Sequence, residues 1–303
     1  MRARRLGTEG PEVSVVGLGT NNFGTRIDYD AALAVVDAAL EHEITLFDTA
    51  DIYGQGRSEE FIGRALEGRR DRVLIATKFG KPMDERPDDA RGSRDYIRWA
   101  VDGSLRRLRT DVIDVYQMHE PDESTPIEET LAALHELVEE GAVRFIGSSN
   151  FSAGQIEEAD RVARERRLTR FVSAQNHYSL VERDPEEDVL PVCERLGIGM
   201  LPYFPLASGL LTGKYARGVS ATEGRLAGRS IPDERWDRTE ALQRFGGERG
   251  LSLLTVAISG LAAMPAVASV IAGATKPEQV AANVAAGEWE PTPQDLEALR
   301  ALR

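Results

Sequence analysis

Cysteine is nearly absent from this chain: among 303 residues Cys193 stands alone. No disulfide can close within it, so the fold needs no oxidising compartment and a reducing cytoplasm is the expected location. Positive charge is also short, with 37 Lys+Arg against 50 Asp+Glu and a formal net charge of −13. That balance excludes a general nucleic-acid binder, and any phosphorylated ligand would need a local cluster of basic side chains. No uninterrupted apolar run is long enough to span a bilayer, so no membrane partner is expected. Arg2, Arg4 and Arg5 could open an export signal, but Leu6-Gly7-Thr8-Glu9-Gly10 supplies no apolar segment behind them.

Three chemical signatures are missing too. Gly17-Leu18-Gly19 runs on into Thr20-Asn21-Asn22, without the third glycine of the dinucleotide fingerprint of open sheets. Gly147-Ser148-Ser149-Asn150-Phe151 lacks the closing glycine of a nucleophile elbow. No His-x-His or His-Glu-x-x-His occurs, which removes the second histidine that a metal-dependent hydrolase built on Asp48 and His119 would need.

What is present is a repeat. Short apolar runs rich in β-branched residues lie at 15–19, 44–48, 73–78, 112–119, 145–149, 171–175, 198–203 and 269–271, with helix-period segments between them. Capping boxes are read at Thr125-Pro126-Ile127-Glu128, Ser152-Ala153-Gly154-Gln155 and Thr275-Lys276-Pro277-Glu278. Eight βα units in one chain of this length favour a closed α/β (β/α)8 TIM barrel, which has no edge strands, as a single domain over 1–303. The stretch 4–16, broken by Gly7 and Gly10-Pro11, predicts a short N-terminal β-hairpin capping the bottom. The charged, glycine-rich stretch 218–247 predicts a loop over the active face.

Chemistry in such a barrel sits at the carboxyl ends of the strands. There the chain places Asp48 with Tyr53 just beyond it, Lys78, His119, Ser149-Asn150, Gln175-Asn176 and Tyr203. Each has an ordinary use: Asp48 as a helix cap, Tyr53 in packing, His119 as a structural histidine. Together they compose a coherent site. Lys78 would lower the pKa of Tyr53 and make it a proton donor, Asp48 would keep Lys78 charged, and His119 would hydrogen-bond a substrate oxygen gaining charge. With no nucleophile or metal, the hydride must come from a bound cofactor.

These residues, with five sequence blocks, resemble the aldo-keto reductase superfamily along nearly the whole chain. The blocks are Gly17-Leu18-Gly19-Thr20; Phe47-Asp48-Thr49-Ala50 through Tyr53-Gly54 and Ser58-Glu59; Ala76-Thr77-Lys78; Ser104-Leu105-Arg106-Arg107-Leu108 through Asp114 to His119; and Ile146-Gly147-Ser148-Ser149-Asn150-Phe151. A sixth stretch, Tyr203-Phe204-Pro205-Leu206 with Gly209-Leu210-Leu211-Thr212-Gly213-Lys214, looks like the family's seventh-strand block. The resemblance implies NADPH-dependent reduction of an aldehyde or ketone by a tetrad of Asp48, Tyr53, Lys78 and His119. It places the nicotinamide near Ser149, Asn150 and Gln175, with Tyr203 stacking on it, and implies Gly19, Thr20 and Asp48 as further cofactor contacts. Phe204, Pro205, Leu206, Ala207, Gly209 and Leu211 would run beneath the pyrophosphate, and Gly273, Thr275, Lys276, Gln279 and Asn283 would take the adenosine end. Lys214, Arg225 and Lys276 supply the basic cluster for the phosphates. Many relatives carry arginine at the Gln279 position or a basic residue at the Gly273 position; this chain carries neither, which leaves NAD(H) open beside NADP(H). Asn21, Phe23, Tyr53 and His119 are candidate substrate walls, with Met83 and the 218–247 loop nearby. The other reading the resemblance carries is a nucleotide-sensing regulatory subunit that binds NADPH and a partner protein. Neither reading fixes an oligomeric state.

Overall fold

The computed structural model describes residues 1–84, 86, 90–219 and 224–302. It opens with an antiparallel hairpin, β1 (Ala3–Arg5) and β2 (Glu12–Ser14), joined in register from Ala3 opposite Ser14. The expected eight parallel strands follow as β3 (Val16–Gly19), β4 (Leu46–Asp48), β5 (Leu74–Phe79), β6 (Ile113–Met118), β7 (Val143–Ser149), β8 (Phe171–Gln175), β9 (Gly199–Met200) and β10 (Val270–Gly273). They pair in the order β10-β3-β4-β5-β6-β7-β8-β9, every neighbour parallel.

The two ends of that order meet. Met200 of β9 forms a parallel bridge with Val267, the amide of Ala268 donates to the Met200 carbonyl at 2.9 Å, and that of Ile271 in β10 donates to Pro202 at 3.1 Å. The sheet therefore closes into the (β/α)8 barrel. β9 is shorter than the run 198–203 because Pro202 has no N–H to give to a ladder.

Helices α1 (Tyr29–Glu41), α2 (Arg57–Ala65), α3 (Arg94–Leu108), α4 (Ile127–Glu139), α5 (Ala153–Arg166) and α6 (Val189–Leu196) follow β3 to β8 in turn. Next come α7 (Asp233–Gly247) and α8 (Leu253–Ala262), then α9 (Pro277–Ala286) and α10 (Pro293–Ala301) after β10. Ser152 caps α5 by the expected box with Gln155. The other two boxes differ. Pro126 is itself the N-cap of α4 and the Thr125 hydroxyl instead donates to Asp122 at 2.9 Å. At α9 the N-cap is Lys276, and Thr275 donates its amide and hydroxyl to Gln279 rather than pairing with Glu278. The expected loop at 218–247 is corrected as well. Its second half is helix α7, held by buried Trp236, Leu242 and Phe245, while 220–223 lie outside the described residues.

The hairpin plugs the barrel from below, as expected. Leu6 and Val13, both fully buried, pack with Leu46, Ala76, Val115, Val172, Leu201 and Ile271 inside the strands. Gly7, with φ +66°, turns the hairpin against the bottom of β8 and β9, so closely that a Cβ there would stand 2.4 Å from the Gly197 carbonyl oxygen. Burying Leu6 alone contributes about 1.5–3 kcal/mol. With the bottom sealed, the opposite mouth is left for chemistry.

Candidate active site

Parallel strands buried on both faces end abruptly in loops, and their last residues project into the mouth. β4 ends in Asp48, Lys78 is the penultimate residue of β5, and His119 follows β6. Register lines them up: Asp48 pairs with Ala76 and Lys78 with Gln117. The Lys78 ammonium, wholly buried, donates to Asp48 Oδ1 at 2.7 Å and to the Thr49 carbonyl at 2.7 Å. Gln175 Nε2 adds a second donor to the same Asp48 oxygen at 2.8 Å. Burial alone would lower the Lys78 pKa, but the adjoining Asp48 charge carries it above its ordinary value, so the ammonium persists.

Tyr53 comes off the loop after β4, its ring centroid 5.3 Å from Lys78 Nζ and 5.9 Å from the His119 ring, which it meets edge to face. The expectation that Lys78 lowers the Tyr53 pKa needs correcting in its net sign. Burial, the largest influence, raises it, and the Lys78 charge only partly opposes that. The phenol is therefore a protonated donor. His119 is pushed down to about 2 by burial, with Lys78 and then Lys81 acting in the same direction, so its imidazole is neutral. Its Nδ1 is buried without a protein partner. The His119 backbone is fixed by its amide donating to the Phe79 carbonyl at 2.7 Å and its carbonyl accepting from Asn150 Nδ2 at 2.8 Å.

A second buried group lies behind this one and was not legible in the sequence. Asp51 is almost wholly enclosed and its carboxyl is raised well above the ordinary range, first by burial and then by Glu59. Glu59 accepts from Arg107 Nε at 2.7 Å and from the Thr77 hydroxyl at 2.5 Å. These contacts tie α2 to α3 and β5.

The mouth opens into a cavity of about 1030 Å³, at the upper limit of the usual range of about 300–1,000 Å³ for small-molecule sites. Tyr53, His119, Asp48, Gly19, Thr20 and Asn21 line it, together with Ser149, Asn150, Gln175, Tyr203, Phe204, Pro205 and Leu206. The lining continues with Gly209, Lys214, Arg225, Gly273, Thr275, Gln279 and Asn283. Tyr203 is held flat against His177, with ring centroids 5.4 Å apart, and its hydroxyl donates to Asn150 Oδ1 at 2.8 Å. Backbone in the left-handed region collects here, at Asn150, Phe204, Ala207, Ser208 and Gly209. Such conformations cost roughly 1–3 kcal/mol each at non-glycine residues and gather at ligand sites.

Not every expected residue lines the cavity. Phe23, expected as a substrate wall, is fully buried in the hydrophobic core, as the short loop 22–27 turns its ring inward. Ala207 and Leu211 are buried beneath the groove, and Lys276 is an exposed helix cap outside it. Arg225 does reach the cavity, but its Nη2 donates to Asn21 Oδ1 at 2.6 Å and Asn22 Oδ1 at 2.7 Å across the groove. Asn22, Arg26, Lys81, Thr212 and Tyr215 line the cavity without having been anticipated. A count of loop residues past each strand end could have flagged Lys81, three residues after Lys78.

Among the described residues no group of His, Cys, Asp and Glu side chains could hold a metal ion, and no helix is long and apolar enough to cross a membrane. A nicotinamide dinucleotide fits the donor set: amide and hydroxyl groups at Ser149, Asn150 and Gln175, a flat tyrosine face at Tyr203, and Gly209 and Gly273 where backbone can approach closely, all lining one cavity.

Known proteins match the chain along nearly its whole length. The model of the Aldo/keto reductase family matches residues 15–303. The chain is 36% identical over 317 residues to a "Probable voltage-gated potassium channel subunit beta" of Oryza sativa subsp. japonica, covering 100% of this chain and 96% of that protein. It is 38% identical to the "Uncharacterized oxidoreductase YrpG" of Bacillus subtilis, covering 98% of this chain and 93% of the relative. A solved structure, the aldo-keto reductase AKR11C1 from Bacillus halodurans in its holo form, superposes with a TM-score of 0.84 at 34% identity, covering 100% of this chain and 96% of its own.

Proposed function

The chain belongs to the aldo/keto reductase family, and from that premise we propose that it is a single-domain enzyme reducing an aldehyde or ketone to the alcohol with NADPH. One observation carries the reading: a protonated tyrosine, a neutral histidine and a buried lysine–carboxylate pair share the mouth of one cavity of about 1030 Å³. When bound, the cofactor supplies a hydride to the carbonyl carbon. The nicotinamide end would be held by Ser149, Asn150, Gln175 and Tyr203, the phosphates by Lys214 and Arg225, and the adenosine by Gly273, Thr275, Gln279 and Asn283.

The protein's own contribution is the proton and the charge. Tyr53 Oη and a ring N–H of His119 hydrogen-bond the carbonyl oxygen, and the Tyr53 proton passes to it as negative charge develops. The phenolate left behind faces the Lys78 ammonium, which Asp48 keeps charged and in place. A neutral His119 donates without competing for the proton. The buried, unpaired Cys193 is consistent with a cytoplasmic enzyme.

The test is NADPH consumption with a reactive aromatic aldehyde, wild type beside Tyr53→Phe, repeated with NADH. We expect Tyr53→Phe to lower kcat by about 10²–10⁴-fold with cofactor affinity nearly unchanged. Turnover retained within a few-fold would sink the reading. A preference for NADPH would support Arg225 as the residue reading the extra phosphate.

The name carried by the rice relative favours a second reading, a nucleotide-sensing subunit that binds NADPH and a partner protein. It predicts tight NADPH binding, negligible reduction of any carbonyl and a co-purifying partner.

A further inference from the structure

Among the described residues the cavity is lined by four cationic side chains, Arg26, Lys81, Lys214 and Arg225, and by one carboxylate, Asp48. Lys78 already neutralises that carboxylate. The surplus is conspicuous in a chain of net charge −13, and cofactor phosphates account for only part of it.

Topology separates Lys81 from Lys214. Lys214 lies beyond β9, on the phosphate side of the groove. Lys81 lies beyond β5, and in the closed order of eight strands β5 is four strands removed from β9, across the mouth. Its neighbour is instead His119: β5 and β6 pair directly, and the His119 amide donates to the Phe79 carbonyl at 2.7 Å, two residues before Lys81. The Lys81 backbone is anchored by the Tyr96 hydroxyl donating to its carbonyl at 3.0 Å. Its ammonium meets Glu120 only loosely, at 3.5 Å, and Glu120 is shared with Arg91 at 3.7 Å. Arg26, on the loop after β3, has no hydrogen-bond or ion-pair partner for its guanidinium among the described residues, and its loop is pinned by its amide donating to Asn22 at 2.9 Å. Arg225, its pKa lowered first by burial and then by the nearby Arg26 charge, is already engaged by Asn21 and Asn22.

We propose that the carbonyl substrate bears a carboxylate, received by Lys81 and Arg26 at the rim of the pocket while Tyr53 and His119 hold the carbonyl oxygen. This inference rests on the reductase reading above. The two cations act on binding and orientation, not on the hydride or proton, so they are specificity residues.

The experiment compares para-carboxybenzaldehyde with its neutral methyl ester at saturating NADPH and low salt. We expect kcat/KM to favour the acid by about tenfold, the size of a partly screened charge-assisted contact. High salt should shrink the ratio, and Lys81→Met and Arg26→Met should each bring it toward one. Equal efficiencies, a preference for the ester, or variants that depress both substrates in the same proportion would overturn the proposal. A second arm needs no turnover: calorimetry of benzoate against benzamide on the protein saturated with NADP⁺, which fills the cofactor's own phosphate sites. Benzoate binding that depends on Lys81, with neither aldehyde reduced, would leave the anion site standing and remove the reductase reading. Both aldehydes reduced equally, with benzoate unbound, would do the reverse.

Discussion

Lys78 Nζ and Asp48 Oδ1 lie 2.7 Å apart with side-chain exposures of 0% and 4%, so the pair is a closed unit inside the barrel mouth. Two buried charges of opposite sign cost much to desolvate and return it only while both are present. Here the remaining bonds of the lysine and the carboxylate go to the Thr49 carbonyl and the Gln175 amide, so the pair is well satisfied.

Removing either partner alone should therefore be severe. Lys78→Met and Asp48→Ala are each expected to destabilise the fold by about 3–5 kcal/mol, because each strands one buried charge. The double replacement should cost clearly less than the sum of the two. Urea unfolding of the three variants checks this, and strict additivity would contradict the coupling.

Burial sets the pH response of the site. His119 is held down to about 2 and Tyr53 sits above its ordinary value of 10.0, so neither changes charge near neutrality. Turnover of a neutral aldehyde is expected to show no step near pH 6.5, where a free histidine titrates. A fall in kcat centred there would mean that His119 is charged in the working enzyme.

How far this site could be read from sequence follows from where each residue sits. Asp48, Lys78, His119, Ser149 and Gln175 were legible because buried parallel strands read as continuous apolar runs whose ends can be counted. Lys81 and Arg26 lie on loops, where hydrophobic period carries no signal. Phe23 was misread because nothing in its neighbours announces that the loop folds the ring inward. Helix α7 was missed because its charged residues mask the spacing of Trp236, Leu242 and Phe245, three buried anchors in a polar helix. The Thr125 cap failed for a local reason, since Asp122 competes for its hydroxyl.

Histidine burial also has a consequence for stability. The native pKa of His119 lies below the 6.5 of the unfolded chain, so the unfolded state takes up a proton that the native state refuses. The associated stability is complete above pH 6.5 and is lost as pH falls toward 2. Between pH 7 and 5 this one group should remove roughly 2 kcal/mol. His119→Gln should flatten that part of the curve, measured by denaturant unfolding at each pH; an unchanged slope would refute the assignment.

Asp51 has the opposite sign. Its native pKa is raised well above 3.8 by burial and by Glu59, so it favours the fold while protonated and loses that advantage as pH rises through the window above 3.8. Asp51→Asn keeps the shape and cannot ionise. The variant should be more stable than wild type at pH 7, with the difference shrinking toward pH 4. A variant less stable at pH 7 would show that the carboxyl is ionised and paired.

The last prediction concerns the bottom of the barrel. Gly7 turns the hairpin with φ +66° and leaves no room for a side chain, since a Cβ would meet Gly197 O at 2.4 Å and Val172 O at 2.9 Å. Both obstacles are backbone atoms of the barrel, which cannot swing aside as a flexible side chain would. Gly7→Ala must therefore lift the turn, and with it Leu6, out of the strands' interior, adding lost burial to the left-handed strain. The expected cost is about 2–4 kcal/mol, seen as a lower urea midpoint. NADPH affinity should hold, because the groove lies at the other end of the strands. A variant as stable as wild type would mean that the plug is dispensable and that the barrel interior is sealed by its own side chains.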